Sequence, residues 1–160
     1  MTLCNNDPRQ QSLLGAAWTL GHYAAVQRDG LDATTLWALN APFAMAEEGR
    51  YYPIFQVFQG LAAGHGRKAL RLDVSSSRVE ALGWADEAGE VRLWVANLTA
   101  EPLRVSYRGL AIRGCHTLDA ERFTAAMDDP RFWASPLADA APMAPLQPFG
   151  VIELRGVPGG

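Results

Sequence analysis

VEALGWADEAGEVRLWVAN, residues 79–97, is the stretch that decides the fold. Two alternating runs, VEALGWA and VRLWVAN, flank Asp86-Glu87-Ala88-Gly89-Glu90. Gly89 suits the left-handed position that follows a type I turn, so Asp86 should face Glu90 across a three-residue loop. Side chains alternate along a strand, and this register puts Val79, Ala81, Gly83, Ala85, Val91, Leu93 and Val95 on one face. Leu82, Trp84, Arg92 and Trp94 fall on the other. The first set reads as the core of a sandwich. The second is too apolar to be plain solvent surface.

Carboxy-terminal to residue 69 the period of two persists. Candidate strands are 69–74, 79–85, 91–98, 103–108, 111–118 and 149–155, with turn residues between them. Several short strands joined by tight turns predict an antiparallel β-sandwich over residues 66–160. Residues 121–148, rich in Ala, Pro and Asp, read as a long crossover loop before the last strand.

Amino-terminal to it the pattern is helical. Asp7 as N-cap, Pro8 at the first helical position and Gln10 as capping-box partner predict a helix over 8–28, stopped by Gly30. Its interior, LLGAAWTLGHYAAV, carries no charge, so most of its circumference should be covered. Gly15 and Gly21 would each cost about 1 kcal/mol against alanine in an exposed helix. They are read here as permitting close backbone approach. ATTLWAL, residues 33–39, suits a buried parallel strand. A loop to residue 52 follows, and Pro53 opens a second helix with Ile54, Val57, Phe58 and Leu61 on one face and Gly64 closing it. Helix, strand, long loop and helix are the grammar of a (β/α) unit, and one strand with two helices closes no barrel. Residues 1–65 therefore read as a partial barrel, and the fold class as mainly β: an antiparallel β-sandwich preceded by a helix-strand-helix remnant of a (β/α) barrel.

Composition narrows the function. The chain of 160 residues is 49% hydrophobic and 19% charged, enough for a real core. Net charge is −3 with the 14 basic residues scattered, which argues against nucleic acid as a partner. Cys4 and Cys115 lack metal-type spacing and read as reduced thiols. The start, MTLCNNDPRQ, has no basic head followed by an apolar run, and no apolar stretch is long enough to cross a bilayer. The expectation is a cytoplasmic protein with no membrane association. Asn97-Leu98-Thr99 matches the glycosylation sequon but reads as a strand end entering a turn.

Cleaving a glycosidic bond needs two carboxyl groups at a fixed separation. Glu47 with Glu48, and Asp128 with Asp129, are neighbours in loops, and solvated charge accounts for them. Asp129 before Pro130 reads as a turn start. His22, His65 and His116 have no ligand spacing, so no metal is expected, and no motif calls for a cofactor. Ser75-Ser76-Ser77 lacks a nucleophile-elbow context. Gly64-His65-Gly66-Arg67-Lys68 ends a helix instead of preceding one, so it makes no phosphate cradle. The aromatic residues remain. Trp37, near the carboxy end of the lone strand, could stack on a sugar while Asn40 donates a hydrogen bond; ordinary packing is the alternative. Trp84 and Trp94 could form a carbohydrate platform, or be buried against the two helices. Trp133 reads as a loop anchor.

Four segments carry a family resemblance. DPRQQSLLGAAWTLGHYAAVQRDGLDATTL resembles the last (β/α) portion of the barrel in D-apionate lactonase-like proteins, architectural relatives of the barrel glycoside hydrolases, and RYYPIFQVFQGLAA is similar to their final barrel helix. SRVEALGWADEAGEVRLWVANLTAEPLRV and LDAERFTAAMDDPRFW resemble their carboxy-terminal β-sandwich domain. The resemblance implies a parent that is a cytoplasmic carbohydrate-acid hydrolase opening a sugar-derived lactone. It also implies that most of the barrel, with its active-site residues, is missing here. In the family the last barrel strand ends in an acidic residue followed by Thr-Thr-Gly, where this chain has Trp37-Ala38-Leu39-Asn40-Ala41-Pro42. No catalytic residue is carried over. Three readings stay open: a non-catalytic carboxy-terminal portion of such a hydrolase, a carbohydrate-binding module, or an interaction domain. The uncharged helix 8–28 predicts self-association or association with a barrel domain.

Overall fold

The computed structural model describes residues 8–29, 45–138 and 145–159. Asp7, Gly30, the 33–39 strand, Trp37 and Asn40 lie outside them, as does Cys4.

Pro8–Gln11 form a 3-10 turn, and helix α1 spans Leu13–Arg28. The predicted helix over 8–28 is therefore broken at Ser12, which takes the N-cap position in extended conformation. Its hydroxyl donates to the Arg9 carbonyl (2.6 Å) and caps nothing. A two-residue hairpin, β1 (Ala46–Glu47) with β2 (Arg50–Tyr51), precedes helix α2 (Pro53–Ala62). Strands β3 (Lys68–Ala69), β4 (Val79–Ala85), β5 (Val91–Asn97), β6 (Leu110–Leu118) and β7 (Val151–Pro158) form one antiparallel sheet in the order β3-β4-β5-β7-β6. Helix α3 (Phe123–Asp128) and a 3-10 turn (Phe132–Ala134) interrupt the segment read as a crossover loop. The chain is mainly β, as its periodicity predicts. Among the described residues no helix is long and apolar enough to cross a membrane.

The hairpin that decides the fold has the predicted register. Ala85 pairs with Val91, the Asp86 amide donates to the Glu90 carbonyl (3.0 Å), and Gly89 has φ +78°. The Asp86 carboxylate tightens the turn by accepting from the Glu90 amide (2.9 Å). Three other strand readings are corrected. The 69–74 strand is reduced to β3, after which the Leu70 amide makes one last bond to Gly83. Residues 103–108 alternate half-buried and exposed but form only a single bridge, Leu103 with Leu146. Their partner segment holds Pro145 and Pro148, which lack the amide donors a ladder needs. The last strand starts late because Phe149 adopts φ 51° and Gly150 closes a turn on Gln147.

Asn97 explains where β5 ends. Its amide is fully buried and donates to the carbonyls of Glu101 (2.7 Å), Leu146 (3.2 Å) and Gln147 (2.9 Å). Its carbonyl oxygen accepts from the Thr99 amide and hydroxyl (2.9 and 2.8 Å). The Asn97-Leu98-Thr99 sequence is thus a satisfied strand-to-turn junction.

The main core lies between the sheet and the helices, not between two sheets. Ala16, Ala17, Leu20 and Ala24 of α1 and Val57 of α2 pack with Leu82, Trp84, Trp94, Ala96, Leu118 and Val151 from the sheet. Gly21 belongs to this contact: a Cβ there would stand 3.2 Å from Leu98. A methyl group at Gly60 would overlap the Trp94 ring, so α2 lies on the indole with no room to spare. Arg28, at the end of α1, makes a two-pronged pair with Glu80 of β4. Exposed as it is, that pair contributes at most about 1 kcal/mol.

Candidate functional site

Alternation and register together place one polar group inside this core. On the helix-facing side, Leu82, Trp94, Glu153 and His116 form a cross-strand row, and Trp84, Arg92, Arg155 and Gly114 form the next. Glu153 is 1% exposed. One of its oxygens, Oε2, accepts from Arg155 Nη2 (3.0 Å) and lies 3.2 Å from His116 Nδ1; Arg92 Nη1 stands 3.8 Å from Oε1. Burial opposes the charge on Glu153, but the hydrogen bonds from His116 and Arg155 and the charges of Arg155 and Arg92 outweigh it, holding the carboxyl below its ordinary range. His116 is buried too. Its Nε2 lies 2.6 Å from the Ser135 carbonyl, which can only accept, so that nitrogen carries a proton. The other ring nitrogen, Nδ1, faces Glu153.

The surrounding aromatics hold this network in place. Trp133 packs edge-on against Trp94 (centroids 4.6 Å) and against His116 (6.0 Å), and its indole N–H donates to the Gln56 carbonyl (2.7 Å). It is a loop anchor. Gln56 is fully buried and donates to the carbonyls of Ala126 (2.6 Å) and Asp129 (2.9 Å), tying α2 to the end of α3. Beside this cluster opens a cleft of about 360 Å³. Gln59 and Gly60 of α2 with Ala63 at its C-cap form one side, and Arg92, Trp94, Glu153 and Arg155 the floor. Arg131, Trp133 and Ala134 close it.

Trp84 and Trp94 are 6% and 1% exposed and lie nearly parallel at 6.5 Å. Of the two expectations for them, the structure realises burial against the helices, and Trp94 borders the cleft. Glu47 and Glu48 are exposed, Glu47 accepting from the Tyr52 hydroxyl (3.1 Å). Asp128 and Asp129 are exposed, and the Asp129 carboxylate accepts from the Arg131 amide (2.7 Å) as the turn start that Pro130 predicts. Neither pair forms a buried acid with a facing base. His22 and His65 are exposed. Cys115 is a free buried thiol whose pKa burial raises against the charge of Arg122 and a hydrogen bond with Thr117, the opposite of an activated nucleophile. Tyr107, half-buried beside it, is pushed up to about 12 by burial. Among the described residues no group of three or more His, Cys, Asp or Glu could hold a metal ion. Of this network, the sequence reading weighed His116 only as a metal ligand and placed Arg92 only on the Trp84 and Trp94 face, and it did not single out Glu153 or Arg155. A carboxylate in VIELR, two residues after a core valine and so on the buried face, was the available signal.

Comparison with known proteins accounts for both halves. Residues 1–66 match the family model of the D-apionate lactonase TIM barrel domain, and residues 76–154 match that of the D-apionate lactonase C-terminal immunoglobulin-like domain. A curated D-apionate lactonase from Brucella anthropi is 30% identical over 113 residues, covering 66% of this chain and 18% of that protein. The chain thus spans about a fifth of the length of the curated relative it matches. Among solved structures, an isomaltulose synthase mutant from Erwinia rhapontici in complex with sucrose aligns over 67% of this chain and 17% of its own, at 14% identity and a TM-score of 0.46. A MutB double mutant in complex with isomaltulose aligns over 64% and 17%, at 19% identity and a TM-score of 0.43. Likeness at that level bears on neither fold nor activity here. Because two consecutive domains of one lactonase match in order, leaving only residues 67–75 and 155–160 outside, the chain belongs to the D-apionate lactonase family, of which it carries TIM barrel sequence and the C-terminal immunoglobulin-like domain.

Proposed function

We propose that this chain is a non-catalytic carboxy-terminal portion of a carbohydrate-active hydrolase, the whole enzyme opening a sugar-derived lactone. The observation that carries this reading is the single hydrophobic cluster running from α1 and α2 into the sheet. Side chains from the barrel match and from the immunoglobulin-like match share one core, as a sandwich that buttresses a barrel requires. A free-standing carbohydrate module needs aromatic faces open to solvent, and Trp84 and Trp94 are covered. The exposed carboxylate pairs and the committed Glu153 supply no acid–base couple, which supports the absence of turnover. A cytoplasmic location belongs to the same reading, with Cys115 as a reduced thiol. The test is proton release from the lactone of D-apionate in a pH-stat. The expected rate with the purified chain equals that of protein-free buffer. A rate that saturates with substrate and scales with protein overturns the reading.

A second reading concerns the partner and rests on Trp18. It is 64% exposed on α1 and stacks on His22 (centroids 5.4 Å, 8° between planes). A helix without a charge from Leu13 to Gln27 that leaves its largest ring in solvent favours a second copy of this chain across that face. Light scattering at micromolar concentration should give a mass above the 17.4 kDa of one chain, and Trp18→Glu should return it to that value. A native chain already at 17.4 kDa rules out the self-association.

A further inference from the structure

We infer that residues 71–77 are a processing site, open to a protease specific for basic residues, at which the chain divides into two pieces that remain one body. The helical piece, α1 and α2 with β3, is then held by the sheet as a non-covalent ligand. The inference is independent of the hydrolase reading.

Access is the first ground. From Arg71 to Arg78 every residue except Leu72 is exposed. The last ladder bond of β3 comes from the Leu70 amide, and the next backbone bond closes the turn in which the Val79 amide donates to the Ser76 carbonyl. Between them, residues 71–75 make no backbone hydrogen bond among the described residues. A protease takes its substrate extended, and a segment with neither burial nor paired amides supplies it without unfolding its neighbours. Arg71 provides the basic side chain at the start of the segment. The two family matches also part here, one ending at residue 66 and the other beginning at 76.

Ties between the two sides are the second ground. A Cβ at Gly64 would stand 2.9 Å from the Trp84 ring, and one at Gly60 would overlap Trp94, so the end of α2 lies directly on both indoles. Gln56 of α2 donates to the carbonyls of Ala126 and Asp129 and accepts from the Trp133 indole. Arg28 of α1 pairs with Glu80, and Lys68 of β3 lies opposite Ala85. None of these contacts runs through residues 71–77. A close-packed apolar face of this kind resembles a domain core cut in half, which is how permanent complexes are held.

The test inserts the recognition sequence of a site-specific protease between Asp73 and Val74 and cuts the folded chain to completion. It is run on the Trp18→Glu chain, so that association between copies does not enter. The pieces should co-elute at the mass of the uncut protein at micromolar concentration and keep its near-ultraviolet circular dichroism. With the covalent join gone, the urea midpoint should fall and should then rise with protein concentration, while that of the uncut chain stays fixed. Gly64→Ala, which sets a methyl group against Trp84, should weaken the association of the pieces about tenfold or more. In the native chain, limited trypsin should cut first after Arg71. Pieces that separate or precipitate on cutting overturn the inference, as does an inserted site that resists its protease. A first tryptic cut outside residues 67–78, or an unchanged affinity in Gly64→Ala, overturns it equally.

Discussion

Replacing Trp94 with alanine is expected to lower the unfolding free energy by about 3–5 kcal/mol, the range for removing a large aromatic from a packed core. Trp94 touches α2 at Gly60, lies beside Trp84 and meets Trp133 edge-on, so its loss opens a void where the helices, the sheet and the 129–134 segment meet. One term runs the other way. The indole N–H is buried without a partner, and deleting it recovers part of the desolvation cost. Trp94→Phe also drops the unmet donor but removes the outer ring atoms that lie against Gly60, so it should cost less than alanine, on the order of 1–3 kcal/mol, as a smaller large-to-small change. Urea unfolding followed by circular dichroism measures both. An alanine variant that loses less than about 1 kcal/mol, no more than an ordinary substitution, contradicts the packing described for this face.

Glu153→Gln should cost about 3 kcal/mol at neutral pH, the lower end for breaking a buried ion pair, since Arg92 and Arg155 still reach solvent and are partly screened. The amide leaves two guanidinium groups without their shared counter-charge and His116 Nδ1 without its carboxylate partner. The pH dependence has a definite sign. The folded pKa of Glu153 lies below its unfolded value, so its stabilisation is complete above the unfolded pKa, about 4.3, and is lost as pH falls through the lower folded value. The gap between native and Glu153→Gln proteins should be full at pH 7 and should shrink as the medium is acidified below about 4.3. Urea midpoints at both pH values decide this. An equal gap at both means that the carboxylate is not held charged in the folded protein.

The hairpin 79–97 was legible because everything it needs is local: alternation fixes the faces, and Gly89 with Asp86 fixes the turn. Helix α2 was legible for the same reason, with Pro53 supplying the start. The start of α1 was not, since Ser12 and Asp7 are both good capping residues and sequence does not arbitrate between them. The polar cluster required long-range information. His116 and Glu153 are 37 residues apart and meet only because β7 pairs with β6 on one side and β5 on the other. Arg92 falls by local alternation on the Trp84 and Trp94 face, but only the β7 register brings Glu153 beside it. The same holds for 103–108, whose alternation suggests a strand until the prolines of the partner segment are placed opposite it.

That late strand also sets the order in which the protein can come together on the ribosome. β7 fills the slot between β5 and β6, so until residues 151–158 have emerged both neighbours present bare amides and carbonyls along their inner edges. A nascent chain stalled near residue 148 would display two open templates at once, each able to recruit a strand from another copy. Emergence of residues 151–158 is then the step that turns an aggregation-prone intermediate into a closed sheet.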